Sequence, residues 1–350
     1  MSKLNEGDVI EGIFTIALSL YLAYGKVDKQ LLNKIRTQVD TKMFSTGRFK
    51  YTVVENHKKK KGNNPFDIFN VTFEMRLKPQ SVQGAFDKDF EVLYKKSTDV
   101  GNIDKKIDQL IKNIEGSSFS RRAGASVDYF LSNNTTDIVT FTVIADGIAG
   151  EASGGALKGD VTLEVYATKK GSSQKIISGS LPFSLKSESV TVANLSPYKG
   201  MVNIASALGI KWNGAEKFNR LSKPFKGPVE QKAKFEMITS MYGDLTTAIL
   251  KESKAPSFSK KAFEFLGKSI FGDDLADVID IQRTTVKEIT TEYFNKLKDS
   301  VTLAVKLNGK NLVFSDAKTN TPIFQLRTKL IERSTEAKFY LEVGKGIYAK

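Results

Sequence analysis

GDVTLEVYATKK (159–170) and KIISGSLPFSLKS (175–187) are the stretches that decide the fold. Alternate residues of a strand share a face. In the first stretch Asp160, Thr162, Glu164 and Tyr166 fall on one side, and Val161, Leu163 and Val165 on the other. In the second, Ser184, Lys186 and the following Glu188 oppose Phe183 and Leu185. KKGSSQ (169–174) reads as the turn between them. If the two strands pair, Asp160 and Lys186 converge at one edge of a sheet.

Working outward, DIVTFTVIADG (137–147) is a third strand, linked to the first by GEASGGALKG (150–159). That link lacks the G-x-x-x-x-G-K-[ST] spacing of a phosphate loop, so no nucleotide cofactor is expected. RFKYTVVE (48–55) and DIFNVTFEMRL (67–77) read as a hairpin with HKKKKGNNP (57–65) at its tip. A helix is expected over 6–24, capped by Asn5 with Asp8 three residues on, and showing one apolar stripe of Phe14, Leu18 and Leu22. Further helices are expected over 28–37, 101–115, 198–208, 229–252, 259–271 and 275–298. VTLAVKL, NLVFS, PIFQLRTKLIE and AKFYLEVG close the chain as strands. The expected class is α/β, a central mixed sheet flanked by helices. Residues 1–200 would form its core, with an inserted hairpin at 48–77. Residues 201–350 would be a basic helical extension with C-terminal strands, packed on that core.

Composition narrows the chemistry. With no cysteine there is neither a disulfide framework nor a thiolate zinc site. A single histidine, His57, excludes multi-histidine metal centres, and no G-x-S-x-G elbow is present. Hydrolysis here must use carboxylates, lysine and hydroxyls. The net charge of +14 attracts polyanions. Residues 211–268 alone hold 12 Lys or Arg against 6 Asp or Glu. Acidic Glu6 and Asp8 precede the apolar stretch Ile13–Tyr24, unlike the basic start of a signal peptide, and that stretch is shorter than the roughly 20 residues a bilayer span needs. An intracellular, cytoplasmic protein with no membrane partner is expected.

Asp160 and Lys186 suit phosphodiester hydrolysis. A carboxylate holds a divalent cation, and a nearby lysine orients water or offsets developing negative charge. Glu11, a carboxylate on the apolar stripe of the first helix, is the candidate for a second metal ligand.

KGDVTLEV with SLPFSLKSES resembles the core of the PD-(D/E)XK restriction-endonuclease-like nucleases. That family has an aspartate opening one strand and an acidic-x-lysine tripeptide on the next, matched here by Asp160 and by Ser184-Leu185-Lys186. Many members carry a glutamate on an early helix, to which Glu11 in EGIFTIAL is similar. The C-terminal PIFQLRTKLIERSTEAKFYLEVGKG is more loosely similar to strands of such proteins. Two departures stand out: Gly159 takes the place of the common proline, and Ser184 that of the acidic residue.

The resemblance implies a Mg²⁺-dependent DNA endonuclease, with Mn²⁺ as a substitute metal, and a type II restriction enzyme acting as a homodimer is one form of it. Asp160, Glu11 and the Leu185 carbonyl would hold the metal, with Glu164 in reserve. Lys186 would position water, and Ser184 would contribute through a water. Lys58, Lys59, Lys60, Lys61 and Lys158 would contact DNA phosphates. A non-enzymatic DNA-binding protein and a phage structural or assembly protein remain open readings.

If the 58–61 run grips phosphates, neutralising its four lysines flattens the log–log salt dependence of DNA binding by roughly 0.9 for each phosphate released. An unchanged slope in a mobility-shift titration would remove the run from the interface.

Overall fold

Val161, Leu163, Val165 and Ala167 are buried, and the residues between them are half-buried. A strand so divided needs a packed layer against one face. The computed structural model describes residues 6–46, 48–58, 68–76, 100–116, 138–146, 159–168, 171–172, 175–187, 191–195, 197–212, 214, 227–282, 284–331 and 336–349. The chain divides into two compact units, residues 1–188 with 272–288, and residues 189–271 with 289–350. Residues 272–288 thus return to the first unit, whereas the division read from the sequence, at 200, has no return segment.

In the first unit, numbered in chain order, stand α1 (Glu6–Tyr24), α2 (Lys29–Thr46), β1 (Arg48–Lys58), β2 (Ile68–Arg76), α3 (Val100–Ile114), β3 (Ile138–Asp146), β4 (Val161–Thr168) and β5 (Lys175–Ser187), then β7 (Asp277–Ile281) and β8 (Val286–Ile289). They form an α/β arrangement around a seven-stranded mixed sheet of order β1-β2-β3-β4-β5-β7-β8. β2 runs parallel to β3 and β5 parallel to β7, while β1–β2, β3–β4 and β4–β5 are antiparallel. The 48–58 and 68–76 strands pair with each other as expected, and they also form one edge of this sheet.

α1 lies on β2, β3 and β5 and also meets α2 and α3. It is buried on every side from Gly12 to Leu20, rather than along one stripe. Its hydroxyls are accommodated by bonding back to the preceding turn: Thr15 Oγ1 donates to the Glu11 carbonyl and Ser19 Oγ to the Thr15 carbonyl, each at 2.8 Å. Gly25, at φ 72°, ends the helix, its N–H bonding the Tyr21 carbonyl. Asp28 Oδ1 then caps α2 by accepting from the N–H groups of Gln30 and Leu31. α2 runs to Thr46, well past the expected 28–37. The expected Asn5 cap lies outside the described residues.

The helix expected over 275–298 is not there. That segment holds β7, β8 and only then a helix, α7 (Thr291–Ser300). The reason lies in side-chain branching and in tertiary pairing. Val278, Ile279, Ile281 and Val286 favour a pleated surface. All five residues of β7 are buried, as a central parallel strand covered on both faces requires. Thr290 stops the strand and starts the helix, its side chain accepting from the Tyr293 N–H at 3.2 Å.

The second unit holds β6 (Thr191–Leu195), α4 (Pro197–Leu208), α5 (Gly227–Glu252), α6 (Phe258–Phe271), α7, and the strands β9 (Leu303–Asn308), β10 (Asn311–Asp316), β11 (Pro322–Ile331) and β12 (Glu336–Val343). Its antiparallel sheet has the order β6-β12-β11-β10-β9. Phe314 and Phe324 stack at 4.0 Å on the face that meets the helices, and Tyr242 of α5 meets Phe339 edge-on at 5.9 Å. No helix among the described residues is long and apolar enough to cross a membrane.

Ile279 is fully buried in β7, within the first unit's hydrophobic core. Ile279→Ala is expected to cost about 2–5 kcal/mol in urea denaturation. Leu275→Ala, at an exposed position four residues earlier, should cost less than about 0.5 kcal/mol. Equal effects would contradict the placement of β7 in the core.

Candidate functional site

The antiparallel register sets Val161 opposite Phe183. One step further, β4 has ended and β5 continues, so the Leu185 N–H has no strand carbonyl to meet. Asp160 fills that place with its side chain: Oδ2 accepts from the Leu185 N–H at 2.8 Å and from Ser184 Oγ at 3.1 Å. Lys186 Nζ lies 3.5 Å from the same oxygen. The convergence of Asp160 with Ser184-Leu185-Lys186 expected from alternation is what the structure shows. The Asp160 backbone is pinned on both sides, its N–H donating to the Phe183 carbonyl at 2.7 Å and its carbonyl accepting from the Asp146 N–H at 3.1 Å.

Burial divides the roles within the tripeptide. Ser184 is 1% exposed, whereas the side chains of Asp160 and Lys186 are 29% and 30% exposed. A solute can therefore reach the carboxylate and the ammonium but not the hydroxyl. Every described contact of Asp160 falls on Oδ2. Oδ1 takes no partner among the described residues.

The other expected ligands lie on different elements. Glu11 is half-buried on α1, one turn before Phe14, whose ring meets Phe183 edge-on at 5.7 Å. α1 thus sits on the Phe183 and Leu185 face, while Ser184 and Lys186 alternate to the other. The carboxylate contacts of Asp160 do not include Glu11. Glu164 lies opposite Ser180 and Thr142, about 13 Å along the strand from Asp160 at 3.3 Å per residue. Leu185 offers its N–H to Asp160 and pairs with Ile279 in β7.

Lys58 ends β1 opposite Ile68, beside the start of β3. Asp160 neighbours the far end of β3, about 26 Å away along the strand. The base of the lysine-rich connection is therefore at the opposite end of the sheet from Asp160. Lys59, Lys60, Lys61, Lys158 and Glu188 lie outside the described residues.

Three groups that the sequence pattern does not point to border the site. Asp274 Oδ2 accepts from the Gly159 N–H at 2.7 Å. A Cβ at 159 would stand 2.8 Å from Pro182 Cβ and 2.9 Å from that same oxygen. The glycine is therefore required here, because a proline would have neither the N–H nor the space. Arg76 forms the second group: it chelates Glu74 through Nε and Nη2, at 3.0 and 3.1 Å, and reaches Asp146 Oδ2 through Nη1 at 3.2 Å. The Glu74 hydrogen bond, foremost, with help from Asp146, pushes the guanidinium pKa further up. Asp280, 1% exposed, is the third, opposite Lys186 in the β5–β7 ladder and accepting from Gln282 Nε2 at 3.0 Å. The acidic spacing of DDLADVID (273–280) is the available signal, hidden when the segment is read as helix.

Among the described residues no three His, Cys, Asp or Glu side chains come close enough together to share a metal ion. What the site presents is the Asp160 carboxylate, whose Oδ1 takes no partner among the described residues. Mg²⁺ in general keeps several waters and is bound by one or two carboxylates with a substrate's phosphate. No family model, curated protein or solved structure matches the chain.

Gly159→Pro is expected to lower stability by about 2 kcal/mol or more. It deletes a hydrogen bond to a charged acceptor, worth about 1.5–3 kcal/mol, and it adds a clash. A thermal melt at or above wild type would contradict the close approach of Asp274 and Pro182.

Proposed function

We propose that the chain is a metal-dependent deoxyribonuclease of restriction-endonuclease-like fold, in which Asp160 and Lys186 act on a phosphodiester bond. The observation that carries this reading is the placement of Lys186 Nζ 3.5 Å from Asp160 Oδ2, with both groups open to solvent. Type II restriction by a homodimer is one form the activity can take, and 48–77 is read as the hairpin inserted into that fold.

Asp160 would hold Mg²⁺, or Mn²⁺ in its place, through its open oxygen together with the substrate phosphate. When bound, the ion polarises the phosphate and lowers the pKa of a coordinated water. Ser184 and the Leu185 N–H keep the Asp160 carboxylate from rotating. Lys186 presents its ammonium to the phosphate oxygens or to the attacking water, and its charge opposes the negative charge that builds up there. Glu11 would remain the candidate for a second ligand, whereas Glu164, about 13 Å along the strand from Asp160, is not part of this arrangement.

One observation favours a second reading, a DNA-binding protein without hydrolytic activity. Ser184 replaces the family's acidic ligand and is buried against Asp160, so the tripeptide supplies no second carboxylate.

The two readings part at Asp160→Asn, which keeps an acceptor for the Leu185 N–H but loses the charge. Cleavage with Mg²⁺ should fall by about 100-fold or more, and Lys186→Ala should cause a loss of similar size. Affinity for DNA in EDTA should stay close to wild type for both. Wild-type cleavage rates in both variants would refute the assignment of this pair.

A further inference from the structure

Charge is divided unevenly between the two units. The first holds 29 Lys and Arg against 27 Asp and Glu; the second holds 24 against 12. The second unit therefore carries +12 of the chain's +14. Its sheet has one apolar face, with Leu312, Phe314, Phe324, Leu326, Phe339 and Leu341 all buried. The opposite face carries Lys306, Asn308, Asn311, Gln325, Arg327, Tyr340 and Glu342, with Val313 and the buried Ile323 among them. Across it the register aligns Asn308 with Asn311, Arg327 with Tyr340, and Tyr340 with the backbone position of Asn194. Leu312 pairs with Leu326, so Asn311 and Arg327 stand side by side on adjoining strands.

Arg327 is held for use. Its Nε lies 2.8 Å from Glu342 Oε1, and its guanidinium carbon lies 5.1 Å from the centroid of the Tyr340 ring. Glu342 is 4% exposed and is itself fixed by Gln325 Nε2 at 2.7 Å. The Arg327 side chain is nevertheless 43% exposed. Its Nε is buried and makes the close approach to Glu342 without a well-aligned hydrogen bond. A planar guanidinium fixed from behind by a buried carboxylate and a ring loses little entropy when it takes a phosphate. Lys306, exposed on β9, adds a second cation one strand beyond β10, opposite Val313, whose other neighbour is Gln325.

We infer that this face of the second unit is a DNA-docking surface, with Arg327 as its phosphate anchor. Arg327 and Lys306 are the described cations of this face and suit a phosphate backbone, and the flanking Asn308, Asn311 and Tyr340 favour nucleic acid over a lipid surface. Amides and a phenol bond to phosphate, sugar and base edges, whereas a membrane-docking face would need exposed apolar side chains. The inference rests on the reading of the chain as DNA-acting, but binding alone tests it.

The experiment is fluorescence anisotropy of a labelled duplex of about 20 base pairs with the full chain in EDTA, over a salt series. Arg327→Gln should weaken binding by about tenfold at low salt, and it should reduce the log–log salt slope by roughly 0.9, the step for one phosphate that is no longer neutralised. Lys306→Gln, at an exposed position where folding is not at stake, should reduce the slope by a similar step. Wild-type affinity and slope in both variants would overturn the inference, and so would binding to anionic phosphatidylserine vesicles as tight as to the duplex and equally sensitive to Arg327→Gln. Failure of wild type to cut DNA would count against the nuclease reading and leave this surface standing.

Discussion

One carboxylate oxygen, Asp160 Oδ2, stands where β4 runs out of backbone. It completes the ladder to Leu185, receives Ser184 Oγ, and draws in Lys186. An amide left open at that point would cost about 1–3 kcal/mol, and a charged acceptor makes the bond stronger than a carbonyl would. The same oxygen that closes the sheet also determines which groups face the solvent together. Its surroundings hold it from three directions: Asp146 bonds the Asp160 carbonyl, Phe183 takes the Asp160 N–H, and Asp274 ties Gly159 to the entry of β7. Leu275, at φ 55°, carries the backbone strain of that entry.

The division of charge gives the chemistry a context. A nearly neutral first unit bears the Asp160–Lys186 pair, and a strongly basic second unit bears a sheet face with a fixed arginine. Long-range attraction raises the rate at which a polyanion arrives, while a pre-oriented pair sets what happens on contact. If the chain acts on DNA as proposed, charge changes in the second unit would alter affinity without touching Asp160 and Lys186.

Much of this is legible in the sequence because it depends on period-two alternation. The β3, β4 and β5 strands, and the four strands that close the chain, show it openly. The meeting of Asp160 with Lys186 follows once two such strands are paired. β7 escapes because DVIDI is buried on both faces and has no alternation to show, and a short apolar run is compatible with helix as well as strand. With β7 go Asp280 and Asp274, whose roles depend on pairing across more than 90 residues of chain. Glu11 stands out only if α1 carries a single apolar stripe. The helix is buried all round, so a stripe position says little about which neighbour a side chain meets. The Arg76–Asp146 pair joins parallel strands 70 residues apart, a relation that no local pattern encodes.

The most direct test of the central claim is an end-group analysis of genomic DNA of high sequence complexity, incubated with the purified wild-type chain and Mg²⁺. The account predicts metal-dependent fragments that disappear in EDTA and reappear with Mn²⁺. Intact DNA under both metals, from several genomic sources and at concentrations where the protein demonstrably binds, would contradict it.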